Sequence, residues 1–415
     1  MPPVSTALTL TGKRNFYGKL IIELLTKMEF GRLNLTLPSG ECLQFGNGSG
    51  SITANIHVRN NSFFQRCVLF GDIGFGEAYV DGDWHTDNIT NVIRWFLLNV
   101  DNAPSVSGSK AKSAILNVLK FFNRISHIKR ANSLNGSKKN IAEHYDLNND
   151  FFALFLDPTM TYSSAYFKEE GMDLAEAQLA KYERLCRQLH LQRADHVLEI
   201  GSGWGGNAIY MAKYYGCTVT TVTISEEQFK MAKQRIAEEG LQNKITVLLQ
   251  DYRNIQGSYD KIVSIEMLEA VGAGFLDVYF KKCNEVLKKN GILAFQVITC
   301  PDARFNNLKH GVDWIQKHIF PGSLLPSVAA LNKAINNTSD LTLVDLKDIG
   351  LDYAKTLGIW REQFNANITK VKNLGFNDQF IRKWNYYLSY CEAAFAMRNI
   401  NVMQMVYTRP NNILR

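Results

Sequence analysis

A chain of 415 residues with 46% hydrophobic and 20% charged side chains can bury a sizeable core and is expected to fold as two domains. No apolar run approaches the roughly 18 residues of a membrane-crossing helix, and the net charge of +7 suits anionic membrane surfaces or nucleic acid without choosing between them. Seven cysteines, scattered from Cys42 to Cys391 without a Cys-x-x-Cys pair, argue against a disulfide framework and a zinc site and point to a reducing cytoplasm.

The N-terminal stretch MPPVSTALTLTGKRNFYGK lacks a basic start followed by an apolar core, so no secretory signal is expected. From about residue 30 to about residue 100 the pattern is strand and turn. RLNLTLPSGECLQFG alternates apolar residues ahead of a Pro-Ser-Gly turn, and GFGEAYVDGDWHTDN is rich in turn formers. The polar run DNAPSVSGSKAKS reads as a linker. Ile115, Val118, Leu119, Phe122 and Ile125 then recur at helical spacing, with Lys120, Arg124, Lys129 and Arg130 between or just beyond them. This predicts a basic amphipathic helix, either a connector packed on its own protein or an element for a membrane surface.

From about residue 196 strands and helices alternate. The apolar runs HVLEIG, CTVTTVTI, ITVLLQ, DKIVSIE and GILAFQVITC are spaced by helical segments such as SEEQFKMAKQRIAEEG, with Ser225 as N-cap and Gly240 as stop. The expectation is an α/β fold with a doubly wound parallel sheet. Ligands of such sheets sit beyond the carboxyl ends of the strands, so the loops after Ile200, Ile224, Gln250, Glu266 and Val297 should converge on one site.

The first of these loops, Gly201, Ser202, Gly203, Trp204, Gly205 and Gly206, brings backbone close to a ligand as side chains would not. A dinucleotide site wants Gly-x-Gly-x-x-Gly, and here bulky Trp204 stands where the phosphates would approach. Glu199, just ahead of the turn, suits a bound cationic amine, as in the turn of methyltransferases that use S-adenosylmethionine. An ordinary tight strand-to-helix connection is the alternative. Thr223 ends the second strand and Gln228 follows inside the next helix, where its amide can reach ribose. Asp251 suits an adenine amino group and Tyr252 its ring face. EMLEAVG sets Glu266 and Glu269 at i and i+3, either of which can point into the pocket.

At this point HYDLNNDFFALFLDPTMTYSSAYF, LEIGSGWGG, VTISEEQ, LLQDYR, EMLEAVG, FPGSLLPS and YYLSYCEAAFAMRNI, in this order, resemble the cyclopropane-fatty-acyl-phospholipid synthase family. GEAYVDGDW resembles that family's smaller lipid-binding domain. The resemblance implies a class I methyltransferase-like doubly wound catalytic domain over residues 139–415 and a linker with the basic helix over 106–138. A smaller α+β lipid-binding domain is implied over 1–105. It further implies methylene transfer from S-adenosylmethionine to a cis double bond of a phospholipid acyl chain in the bilayer. Such a protein is cytoplasmic and peripheral on the inner face of the membrane, binds no nucleic acid, and has an oligomeric state left open, a homodimer included.

Carried over by position, the resemblance implies cofactor contacts at Tyr145, Tyr162 and Ser163, along the turn from Glu199 through Gly205, at Thr223, Ile224, Ser225 and Gln228, and at Asp251 and Tyr252. An alkene is a weak nucleophile and must be held in line with the electrophile, and aromatic faces suit the cation that follows. Tyr145, Phe151, Phe152, Tyr162, Tyr166 and Phe167 are candidates for that lining or for plain core. The family holds a bicarbonate ion as base, and the matching positions are Ser164, Glu269, Gln296, Ile298 and Tyr353. Ser164 replaces a cysteine of the widespread pattern, and Gln296 and Ala270 replace histidines. Cys391 matches a cysteine sometimes regarded as an active-site residue and is otherwise a packing residue. A methyl-branching lipid methyltransferase and a non-catalytic lipid-binding protein are the alternatives.

Overall fold

The computed structural model describes residues 16–99 and 149–413. The chain divides into two compact units, Met1–Leu119 and Lys120–Arg415. The linker, the basic helix from Ile115 to Arg130, and Tyr145 lie outside the described residues.

In the first unit the order is α1 (Phe16–Leu25), β1 (Arg32–Thr36), β2 (Cys42–Phe45), β3 (Thr53–Val58), α2 (Ser62–Val80), β4 (Trp84–His85) and α3 (Ile89–Leu98). The expected Pro-Ser-Gly turn joins β1 and β2 as an antiparallel pair, with Gly40 at φ +85°, a left-handed conformation that glycine adopts freely. β3 then pairs in parallel with β1, giving the order β2-β1-β3-β4. Alternation buries Leu33, Leu35, Leu43, Phe45, Ala54, Ile56 and Val58. The stretch read as turns is helical up to Val80 and turns only from Asp81 onward. Gly71 interrupts α2 with non-helical angles of φ 58° and ψ −131°, and beyond it a Cβ on Gly74 would lie 2.2 Å from the Arg66 carbonyl oxygen. Close packing selects the glycine there, and burial of Phe63, Phe64 and Ile73 outweighs its poor helix propensity.

Among the described residues the second unit starts with α4 (Asn149–Ala153) and α5 (Leu174–Gln188) and continues as β5 (His196–Ile200), α6 (Gly206–Tyr210), β6 (Thr218–Thr223), α7 (Glu226–Glu238) and β7 (Ile245–Leu249). It goes on through β8 (Tyr259–Ile265), α8 (Leu276–Val286), β9 (Leu287–Thr299), α9 (Asp302–His310), α10 (Trp314–His318), α11 (Val328–Thr338) and β10 (Thr342–Asp348). α12 (Gly350–Ala366), α13 (Ile368–Asn373), α14 (Asp378–Ala396) and β11 (Asn401–Thr408) complete it. The five predicted strands are β5 to β9. They form the parallel part of a seven-stranded sheet of order β10-β11-β9-β8-β5-β6-β7, in which β11 runs antiparallel to both neighbours.

Helices cover both faces of this sheet. Successive residues of β5 point to opposite sides: Val197 joins a core with Leu185 of α5, Met211 and Ile236 of α7, whereas Leu198 joins one with Phe280 of α8 and Leu331 of α11. β5 pairs with β6 on one side and β8 on the other, and the chain leaves it in opposite directions across that boundary. The resulting crevice lies at the carboxyl ends of the strands, where such sheets take their ligands.

Asn99 is the last described residue of the first unit. Fully buried, it accepts from the Phe30 amide at 2.9 Å and donates to the carbonyls of Phe30 at 3.0 Å and Trp95 at 2.9 Å. Leucine fills similar space and satisfies none of them. Asn99→Leu is expected to lower stability by about 1–3 kcal/mol in urea denaturation; a change under about 0.5 kcal/mol, the range of ordinary surface substitutions, would show that water replaces the amide.

Candidate active site

The turn after β5 is built on left-handed glycines. Gly201, Gly203 and Gly205 have φ of 98°, 46° and 87°, and the amides of Gly201 and Ser202 both donate to the Val222 carbonyl at 3.0 Å, tying the turn to β6. A Cβ on Gly201 would approach Met267 to 3.2 Å and one on Gly205 would approach Ala232 to 3.3 Å, whereas one on Gly203 meets nothing within 4 Å. Gly203 therefore presents bare backbone to open space. Ser202 turns its hydroxyl onto the Gly203 carbonyl. Trp204 points inward, donating to Asn149 at 2.7 Å and packing against Phe152, so its bulk anchors the loop rather than obstructing it.

Glu199 lies behind this turn. Its two carboxylate oxygens accept from Asn207 at 2.8 Å and Thr221 at 2.5 Å, which locks β5 to α6 and β6. Burial pushes its pKa up to about 7 against those two hydrogen bonds. These two bonds orient the Glu199 carboxyl group behind the turn and leave it lone pairs for a further donor.

At the end of β6 the Thr223 hydroxyl donates to Gln228 Oε1 at 2.9 Å and accepts from the Ser225 amide at 3.1 Å, while Ser225 caps α7. The Gln228 side chain is thereby held at the strand end, beside half-buried Ile224. After β7, Asp251 accepts from the amide and guanidinium of Arg253 at 2.7–2.9 Å, and the Tyr252 ring packs 5.2 Å from that of Tyr279. The pairing leaves lone pairs of Asp251 for a further donor.

A second cluster lies at the ends of β8 and β9. Glu266 has φ 49°, in the left-handed region that a non-glycine residue rarely adopts. Its Oε1 accepts from the Ser164 amide and from Gln296 Nε2, both at 2.8 Å, and the Tyr353 hydroxyl is directed to the same carboxylate. Gln296 also donates to the Ser164 carbonyl at 3.2 Å, and its own Oε1 accepts from Gln404 at 2.9 Å. Ser164 turns its hydroxyl onto the Ala165 carbonyl. Glu269 Oε1 accepts from the Ile298 amide, and its buried Oε2 has no hydrogen-bond partner.

The electrostatics separate the two glutamates. Burial and the neighbouring Glu266 charge push Glu269 up to about 8, so it carries a proton at neutral pH. Burial also raises Glu266, opposed by the Lys181 charge and by the hydrogen bonds from Gln296 and Ser164. Lys181, fully buried, donates to Ser163 Oγ at 2.7 Å and Gln178 Oε1 at 2.6 Å. Burial pushes it down to about 7, opposed by Glu266 and Asp157.

The five positions assigned to bicarbonate thus come together, but their donors are committed. Ser164 and Gln296 serve Glu266, with Tyr353 near it, and Ile298 serves Glu269. A separate anion would find only the unpartnered Oε2 of Glu269 left for it, next to the Glu266 carboxyl group, and the arrangement does not fit one.

Aromatic rings border the cluster. Tyr162 stacks on Trp360 with centroids 5.2 Å apart and bonds the Tyr387 hydroxyl at 2.8 Å, while Tyr353 meets Trp360 edge-on. Phe151 and Phe152 are fully buried among Phe155, Trp384 and Trp204, and so belong to the core. Tyr166 and Phe167 are half-buried, the latter beneath Lys355.

Several contributors escaped the sequence reading. Gln178 and Lys181 fall on the buried stripe of α5 with Leu174, Ala177 and Leu185, where polar side chains signal an internal task. Gln404 interrupts the apolar run of β11 in the same way. Arg235 of α7 donates to the carbonyls of Trp204 at 2.8 Å and Thr159 at 2.9 Å and so clamps the glycine turn to the segment carrying Tyr162.

A sequence profile described as mycolic acid cyclopropane synthetase matches residues 132–405. Tuberculostearic acid methyltransferase UfaA1 of Mycobacterium tuberculosis is 37% identical over 85% of this chain and 82% of its own. Cyclopropane-fatty-acyl-phospholipid synthase of Escherichia coli is 38% identical over 87% of this chain and 89% of its own. The crystal structure of mycolic acid cyclopropane synthase CmaA1 complexed with SAH and CTAB superposes with a TM-score of 0.61 at 30% identity, covering 66% of this chain and 98% of that one.

Burial, with Asp313 adding to it, pushes the Cys391 thiol well up, which removes the thiolate that a nucleophile needs. Iodoacetamide at pH 7.5 is expected to label exposed Cys42 well before Cys391 in a peptide-mapping time course. Faster labelling of Cys391 would reveal a reactive thiolate.

Proposed function

The chain belongs to the mycolic acid cyclopropane synthetase family, and from that premise we propose that it transfers a methylene unit from S-adenosylmethionine to the cis double bond of unsaturated phospholipid acyl chains, forming cyclopropane rings. It is an S-adenosylmethionine-dependent methyltransferase with the class I fold. The phospholipid assignment is supported by the reach of the likeness. The Escherichia coli synthase matches 87% of the chain, first unit included, whereas the mycolic acid synthase structure covers 66%.

The observation that carries the reading is the junction at Tyr353. Its hydroxyl lies near the Glu266 carboxyl group and its ring meets Trp360, so aromatic faces and an acidic side chain lie side by side. Both stabilise positive charge that develops on a hydrocarbon. S-adenosylmethionine supplies the methyl group as an electrophilic sulfonium. The bare Cα of Gly203, the Thr223–Gln228 pair and Asp251 fit such a ligand, with Tyr252 packing beside it and Tyr162 and Ser163 facing the transferred group. Arg235 keeps these parts in register. The residues offered for bicarbonate do not fit a separate ion, and the reading includes no step through one.

The substrate side of the proposal is a bilayer, with the enzyme peripheral on its inner face. No described helix is long and apolar enough to cross a membrane. Incubation with vesicles of unsaturated phospholipid and S-adenosylmethionine, followed by gas chromatography and mass spectrometry of the acyl chains, is expected to give cyclopropane products. Methyl-branched chains instead would overturn the ring assignment while leaving methyl transfer intact.

Gly203→Val places a β-branched residue at φ 46° and fills the open space beside the turn. Calorimetry is expected to show loss of S-adenosylmethionine binding in a protein that still unfolds cooperatively. Unchanged affinity would remove the turn from the cofactor site.

A further inference from the structure

Ring closure needs a base, and the donors that would hold an external one already hold Glu266. Oε1 receives the Ser164 amide and the Gln296 amide nitrogen, each at 2.8 Å, and the Tyr353 hydroxyl faces the same carboxylate. The backbone reinforces this aim. Glu266 keeps φ at 49°, costly for a residue with a Cβ, and its amide is fixed to the Gln296 carbonyl at 2.8 Å. Such strain persists where the surroundings over-determine it, and here they place one carboxylate against Tyr353 and its aromatic neighbours.

Resting on the cyclopropane reading above, we propose that the Glu266 carboxylate is the catalytic base of ring closure, built into the chain where the family resemblance places bicarbonate. One C–H bond of the transferred methyl group breaks. Its electron pair forms the bond to the cationic carbon and closes the ring, while the proton passes to the Glu266 carboxylate to give the neutral acid. The proton returns to solvent before the next turnover. The Lys181 charge opposes the rise that burial imposes on Glu266, while burial and the Glu266 charge push Glu269 up to about 8. Gln296 and, through it, Gln404 act as positioning residues that orient the carboxylate.

Three proteins test this: the wild type, Glu266→Gln and Glu266→Gly. The wild type is expected to form rings equally fast in buffer stripped of carbon dioxide and to show no binding of carbon-13-labelled bicarbonate by NMR. Glu266→Gln is expected to keep S-adenosylhomocysteine affinity in calorimetry and to lose about 10²-fold or more in ring formation, the usual contribution of a positioned base. Glycine suits φ 49° and vacates the donors of Ser164, Gln296 and Tyr353, so Glu266→Gly is expected to bind labelled bicarbonate and to regain turnover when bicarbonate is added. A wild type that needs or binds bicarbonate, or a Glu266→Gln enzyme as fast as wild type, would overturn the proposal. A wild type that binds S-adenosylhomocysteine yet makes no cyclopropane would overturn the functional reading instead, and the labelled-bicarbonate arm then still decides what fills the donor set.

Discussion

Two carboxylates, Glu199 and Glu269, are buried and a third, Glu266, is half-buried at the carboxyl ends of β5 and β8, and each must recover from the protein the hydrogen bonds it loses from water. Much of the local structure follows from how that is done. Glu199 is satisfied by Asn207 and Thr221, which fixes the strand end against the helix that follows the glycine turn. Glu266 draws in the Ser164 backbone, Gln296 and Tyr353, so three distant parts of the chain meet at one point. Glu269, with one donor and an unpartnered oxygen, takes up a proton instead. Neighbouring carboxylates in different surroundings are thereby held by different donors, which separates their chemical roles.

The segment from Asp157 to Phe167 has little regular structure, yet it is held on several sides. Arg235 reaches its Thr159 carbonyl, Lys181 and Gln178 hold Ser163, Thr356 accepts from the Ala165 amide, and Asp352 accepts from that of Phe167. These anchors come from helices on different sides of the segment. Preorganisation of this kind means that little reordering is needed when charge develops nearby.

The parallel strands were legible because each is a compact apolar run, and the helix after β6 announces itself with its Ser225 cap. The glycine turn was legible for the same local reason. The antiparallel β10–β11 pair was not: β11 mixes Gln404 into an apolar run, and β10 is mostly half-exposed, so neither carries a clear period. Within the site, the residue types and their convergence were readable from the motif order, but the direction of each hydrogen bond was not. Ser164 contributes its backbone amide where the side chain drew attention. Glu266 and Glu269 stand in one motif, and only the left-handed backbone at Glu266 decides which of them meets Gln296. Lys181 was missed because its neighbours along the sequence look like an ordinary amphipathic surface helix.

The place of β11 in the sheet sets an order on biosynthesis. It lies between β10 and β9, yet it is translated after both and after every other strand of the unit. Until it docks, β10 has no partner strand in the sheet and the exposed edge of β9 carries unpaired backbone groups, the kind of surface that invites mispairing in a growing chain. Gln404 lies on this strand and orients Gln296, so the polar network around Glu266 closes at the same moment. A nascent chain can complete its glycine turn early, but it reaches a competent arrangement of acids only once residues 401–408 have cleared the ribosome and slid into the gap.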